Sequence, residues 1–216
     1  MSGFFHGVTV TNVDTGARTI ALPSSSIIGL VDTFTPGPDA TAKANDLVMI
    51  TSEREAVAAF GPNAAITKAC RAIYTRAQAV IVACGVAKLE DAAEQTSAII
   101  GGVLVDGTRT GLQALLDGKS RFNAQPRLLV SPRHSATPAV GTALVALADK
   151  LRGIAIIDGP NTTDEAAIAY AGEFGAKRAF MIDPGVKYWD TAASATVDSP
   201  GSAWVVLKSF SMISVA

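Results

Sequence analysis

Chemistry-bearing residues are scarce in this 216-residue chain, which has two cysteines and two histidines. His6 and His134 lie far apart, and Cys70 and Cys84 sit in apolar stretches. The spaced Cys and His clusters that build zinc sites are therefore missing, and no metal and no cofactor is expected. Both cysteines read as reduced, buried thiols of a protein made in a cytoplasm. Charged residues make up only 17%, with 18 basic against 19 acidic. That balance leaves no basic stripe for a phosphate backbone, so no nucleic acid is expected as a partner. Apolar residues reach 49% and the mean hydropathy is +0.32. Even so, no apolar run approaches the roughly 20 residues that span a bilayer, and no membrane insertion is expected. The N-terminus lacks the basic and apolar regions of a secretory signal. The phosphate loop, the dinucleotide-binding glycine pattern and the Gly-x-Ser-x-Gly elbow are also missing.

What is present begins at the N-terminus. Phe4-Phe5-His6-Gly7-Val8-Thr9-Val10-Thr11-Asn12-Val13 reads as an extended strand without a hairpin partner close by. After an Asp14-Thr15-Gly16 turn signal, Arg18-Thr19-Ile20-Ala21-Leu22 resumes the alternation. An unpaired strand exposes N–H and C=O groups that template another chain. Its natural mate is the sheet edge of a neighbouring copy. Phe4, Phe5, Val8, Val10, Val13, Arg18 and Ile20 are the candidate inter-subunit residues of this arm. For Phe4 and Phe5, an interface anchor and a local staple onto the chain's own domain both remain open.

Beyond Pro23, extended and helical periods alternate. Short strands are expected at Ile27–Val31, Leu47–Ile50, Val80–Val82, Arg127–Val130, Ile154–Ile157 and Ala179–Ile182. Ile66, Cys70, Ile73 and Ala77 mark one helix face, and Val140, Leu144, Leu147 and Leu151 another. Residues 90–100 and 109–117 also read as helices. Ser52 with Glu55, and Thr162 with Glu165, have capping-box spacing. Alternating elements at this spacing imply right-handed parallel crossovers. The expected fold is α/β, a layered domain with a mostly parallel sheet of about five strands flanked by helices, plus the extended N-terminal β arm.

Open sheets of this kind bind ligands beyond the carboxyl ends of their strands. Three segments end there: Ser131–Ser135, Asp158–Asn161 and Asp183–Gly185. A small α/β hydrolase would use Ser131 or Ser135 as nucleophile, His134 as base, and Asp158 or Asp183 to orient it. The same residues are ordinary turn chemistry after a strand, and His134 then reads as an exposed loop histidine. A ligand-binding module would instead need a deep apolar pocket at these strand ends. Lys119, Arg121 and Arg127 form a small basic group, readable as a solvated face or as partners for acids on a neighbouring copy.

The opening segment Phe4–Pro23 resembles the start of the tail sheath proteins of contractile phage tails, chiefly of P2-like phages and R-type pyocins. The likeness continues through Arg109-Thr110-Gly111-Leu112-Gln113-Ala114-Leu115-Leu116, Phe122-Asn123-Ala124-Gln125-Pro126-Arg127 and Ile156-Ile157-Asp158-Gly159-Pro160-Asn161. It resumes at Asp164-Glu165-Ala166-Ala167 and Phe180-Met181-Ile182-Asp183-Pro184-Gly185, and fades after about Thr191. The resemblance implies a structural subunit and no enzyme. Copies would stack as six-membered rings around an inner tube, contact tube and baseplate proteins, and contract to drive the tube through a cell envelope. It places the product in a virion tail or pyocin-like particle, made in the bacterial host cytoplasm. It also divides the chain into an arm (1–22), an α/β sheath domain (23–190) and a divergent tail (191–216). Members of this group are nearly twice as long, which implies that the C-terminal half is lacking here.

Overall fold

Strand β1 (Ile27–Phe34) is buried along nearly its whole length, as a strand covered on both faces must be. It sits inside a six-stranded sheet of order β2-β3-β1-β4-β5-β6. The computed structural model describes residues 27–38, 40–76, 78–190 and 194–205. β3 (Val80–Ala87) and β4 (Leu128–Val130) flank β1, both parallel to it, with Ile28 opposite Ile81 on one side and Leu128 on the other. β5 (Ile154–Asp158) and β6 (Ala179–Ile182) continue the parallel sheet. β2 (Leu47–Ile50) closes the far edge antiparallel to β3. The α/β class and the mostly parallel sheet match the sequence expectation. The sheet has six strands rather than about five because β2 adds an antiparallel edge to the five parallel strands.

The winding sets the layers. From β1 the chain moves outward to β3, then reverses across β1 to β4, β5 and β6. Reversal with one hand of crossover requires helices on opposite faces. Helices α1 (Glu53–Phe60) and α2 (Ala65–Arg76) cover one face, packing Phe60, Ile66 and Ile73 on Leu30, Ile81 and Ile156. α3 (Ala92–Ile100), α4 (Gly111–Ala114), α6 (Pro138–Leu151) and α7 (Asp164–Gly172) cover the other, with Ile99, Leu112, Leu144 and Tyr170 on Val82, Leu129 and Ile157. A 3₁₀ turn at Leu115–Asp117 and α5 (Gly118–Phe122) complete that side. Past β6, β7 (Val186–Asp190) and β8 (Ala195–Ser199) form an antiparallel hairpin, followed by α8 (Gly201–Val205). β8 and α8 lie in the stretch the sequence set apart as a tail, yet Ala203 is buried in the α1–α2 core.

Local chemistry corrects three expectations. Ser52 caps α1, its hydroxyl accepting from the Glu55 N–H at 3.4 Å. The Glu55 carboxylate, however, reaches one residue further back, accepting from the Thr51 N–H at 2.7 Å and the Thr51 hydroxyl at 2.9 Å. The α7 cap is Thr163 rather than Thr162, accepting from the Ala166 N–H at 3.3 Å. The helix expected at 109–117 starts at Gly111, because Thr110 is extended and Gly111 is left-handed with φ 54°.

Two tests follow from this packing. Gly85 lies under the edge-to-face pair Phe34–Phe60, and an added Cβ would sit 2.6 Å from Phe60 and 2.7 Å from Phe34. Gly85→Ala should lower the urea unfolding free energy by about 1–3 kcal/mol. The Thr51 N–H and then the Thr51 hydroxyl hold the Glu55 carboxyl below its usual range. A depressed carboxyl stabilises α1 above the unfolded-chain value, and that contribution is lost as pH falls through the folded one. The Thr51 amide resonance should therefore titrate with a midpoint below that of an unfolded-chain glutamate, and Glu55→Gln should abolish the transition.

Candidate functional site

In doubly wound sheets the binding crevice opens where the strand order reverses. Here that is the gap between the carboxyl ends of β1 and β4. β1 delivers Asp32, fully buried, and the chain leaving β4 delivers Ser131, Arg133, His134 and Ser135. His134 opens a 3₁₀ turn (His134–Ala136), and its Nε2 lies 3.3 Å from Asp32 Oδ1. Asp32 Oδ2 and Ser131 Oγ are buried with no hydrogen-bond partner among the described residues.

The neighbouring carboxylate is the better-satisfied one. Asp158, at the end of β5, is 5% exposed. Its Oδ2 accepts from the Arg133 N–H (3.0 Å), the Ser135 hydroxyl (3.2 Å) and the Ser202 hydroxyl (2.7 Å), and its Oδ1 from the Ser202 N–H (2.8 Å). Its own N–H donates to Ser135 Oγ at 2.9 Å. Arg133 adopts a positive φ of 65° with ψ −44°, which is costly for a residue with a Cβ. That conformation aims its N–H at Asp158. Tyr170 closes the set, donating its hydroxyl to the Ser135 carbonyl at 2.6 Å.

This geometry does not assemble the triad of the hydrolase alternative. His134 faces Asp32, Ser135 faces Asp158, the Ser131 hydroxyl has no partner among the described residues, and Asp183 accepts from the Asn161 N–H at 2.7 Å. The crevice is also filled. Tyr188, Val197, Pro200 and Ala203 stand over Asp32 and Pro132 and leave a void of only about 50 Å³. Tyr188 stacks near Trp204 at 5.1 Å, and the Arg76 guanidinium lies 5.1 Å over the same indole. A larger cleft, about 480 Å³, runs along Arg133, Pro160, Asn161, Pro184, Lys187 and Asp198. Its walls mix charge with proline, unlike the deep apolar pocket a ligand module needs.

The remaining candidates resolve separately. Cys70 belongs to the α1–α2 core and Cys84 to the core on the opposite face, so the sheet stands between them. Burial pushes the Cys84 thiol up to about 12 and the Cys70 thiol higher, with the Asp32 charge adding to the latter. Both are protonated, inert thiols. Arg121 pairs with Asp46 at 2.7 Å, and Arg127 donates to the Leu151 and Arg152 carbonyls, so two of the three basic residues serve the chain's own structure. The arm residues Phe4, Phe5, Val8, Val10, Val13, Arg18 and Ile20 lie outside the described residues. Among the described residues no group of three His, Cys, Asp or Glu could hold a metal, and no helix is long and apolar enough to cross a membrane. Sequence reasoning missed the Asp158–Ser202 link, which joins residues 44 apart. It also missed the protruding turn at 103–109, which Val103-Leu104-Val105 running into Asp106-Gly107 could have signalled.

Among the described residues the strand-end carboxylates serve as acceptors and ion-pair partners within the fold. A protein named as a prophage major tail sheath protein of Pseudomonas aeruginosa (strain UCBPP-PA14) is 66% identical over 201 residues, covering 93% of this chain and 52% of that one. The chain is similar to phage tail sheath proteins. The tail sheath protein of Escherichia phage P2 is 31% identical over 214 residues, covering 94% of this chain and 53% of that one. The chain thus spans about half the length of the curated tail sheath proteins it matches. No family model matches it. Among solved structures, the contracted helical sheath of the anti-feeding prophage shares the fold at TM-score 0.55 and 21% identity, over 95% of this chain and 51% of that one. The contracted PVC sheath complex, from an extracellular contractile injection system, does so at TM-score 0.51 and 15% identity, over 95% and 49%.

The two carboxylate environments separate by mutation. Asp158→Ala leaves the N–H groups of Arg133 and Ser202 and two hydroxyls without their acceptor. It should cost roughly 3 kcal/mol in chemical unfolding and speed amide exchange across 195–205. Ser131→Ala removes a hydroxyl with no described partner and should be neutral or slightly stabilising, whereas Ser135→Ala should destabilise by about 1–3 kcal/mol.

Proposed function

We propose that this chain is a structural subunit of a contractile tail sheath, or an N-terminal piece of one. It polymerises around an inner tube and contracts to drive that tube through a cell envelope. The observation that carries the reading is 66% identity to a tail sheath protein across 93% of this chain. The fold shared with contracted sheath subunits supports it. So does a strand-end crevice filled by the chain's own β7–β8 hairpin and α8. The subunit has no catalytic task and uses no cofactor. Its partners are other copies in stacked six-membered rings, with tube and baseplate proteins at the tube face and the tail end. Its place is the tail of a virion or pyocin-like particle, assembled after synthesis in the host cytoplasm.

In this reading residues 1–22 form a linker arm and the α/β unit from residue 23 is the rigid body that the arm connects. The tail beyond residue 190 packs onto that body through β8 and α8. Free energy is stored in the difference between two lattice packings, since packed interfaces are bistable rather than continuously deformable. Electron microscopy of the purified chain, and of its full-length relative, tests this. The relative should form tubes or stacked rings. Removing its residues equivalent to 1–22 should leave circular dichroism and unfolding of the core unchanged while abolishing tubes. Normal sheaths from the truncated relative would refute the linker role.

A further inference from the structure

Two apolar surfaces stand uncovered by the described residues at opposite edges of the sheet. Between α3 and α4 the chain forms a projecting turn closed by backbone hydrogen bonds. The Leu104 N–H donates to the Thr108 carbonyl (2.8 Å), the Gly107 N–H to the Leu104 carbonyl (2.9 Å) and the Thr110 N–H to the Gly102 carbonyl (2.9 Å). An antiparallel bridge joins Val103 and Arg109. With its backbone satisfied internally, this turn holds three consecutive aliphatic side chains outward. Val103 is 64% exposed, Leu104 is 54% exposed and Val105 is fully exposed. The turn stands on the β2 side of the sheet, where Leu104 and Thr108 line a cleft with Asn45 and Leu47.

The second surface is at the β6 edge. Phe180 and Ile182 point to the α1–α2 face of the sheet, because their neighbours Ala179 and Met181 pack on the other core. Helix α2 covers β1 on that face, and over β5 and β6 the described chain supplies only the five residues of α8. Phe180 is left 46% exposed beside half-buried Ile154, Ile182 and Trp204. The charges differ in sign. The tip carries exposed Asp106, while Arg109 is tied to Asp117. Exposed Lys177 precedes Phe180, and exposed Arg76 lies over Trp204.

We propose that the Val103–Val105 tip of one copy seats on the Phe180 face of the next, with Asp106 facing Lys177 and Arg76. A knob and a receiving face at opposite edges of one body cannot meet within a copy. Seated knob to face, each added copy leaves a further knob and a further face free, so the head-to-tail contact propagates as a ring or a helix. The proposal rests on the polymer reading above and names the surface that carries it.

Sedimentation velocity of the full chain over a concentration series tests the contact, using Val105→Glu and Phe180→Glu. The parent should form species larger than dimers, and each variant should lose at least tenfold in apparent association. A one-to-one mixture of the two variants should recover a dimer and nothing larger, because each retains the surface the other lacks. Circular dichroism verifies folding, and Phe180→Ser replaces the glutamate variant if that one unfolds. A parent that stays monomeric, a variant that associates like the parent, or a mixture that yields no dimer overturns the contact. If assembly survives both substitutions but is lost on removing residues 1–22, the head-to-tail contact fails while the arm reading stands.

Discussion

One buried carboxylate ties together the segments that meet above the strand ends. Asp158 takes donors from the loop after β4 and from the start of α8, while its own strand is fixed in the sheet. Among the described residues no cation pairs with it, and four N–H and O–H donors satisfy its oxygens instead, as a buried polar group requires. Two further features depend on this solution. Arg133 can hold its positive φ because its N–H has a carboxylate-oxygen acceptor in Asp158. α8 can stand at the end of β5 because both donors of Ser202 are used there.

The result inverts the usual use of the fold. A doubly wound sheet reverses its strand order between β1 and β4 and so opens a crevice suited to a ligand. Here Tyr188, Val197, Pro200 and Ala203 occupy the space beside Asp32. Of the residues that looked like a hydrolytic set, His134 turns to Asp32, Ser135 and Asp158 bond each other, Asp183 accepts from the Asn161 N–H, and the Ser131 hydroxyl has no partner among the described residues. Fold alone does not specify chemistry, and here the strand-end residues do not assemble the hydrolytic triad.

Much of this was legible in the sequence because the relevant signals are local. Short apolar runs gave the strands, 3.6-residue spacing gave α2 and α6, and hydroxyl-plus-carboxylate spacing gave the start of α1. Errors arose where two adjacent residues offered the same chemistry. Thr162 and Thr163 compete for one cap, and only backbone geometry chooses Thr163. Strand order, the antiparallel turn of β2 and the Asp158–Ser202 link depend on which distant segments meet, and no local pattern encodes that. The triad illustrates the same limit, since His134 and the serines lie close in sequence, yet His134 turns to Asp32 while Ser135 turns to Asp158.

The position of β1 has a mechanical consequence. The described chain begins at Ile27, and Ile27 opens the central strand, with eight register pairs to β3 on one side and three to β4 on the other. A pull along the strand axis on the residues before Ile27 would load both parallel ladders in shear, with many hydrogen bonds sharing the force at once. The β7–β8 pair has no such flanking strands, so a pull across its open end would unzip it one bond at a time. A tether attached at Ile27 thus grips the molecule where two parallel ladders share the load.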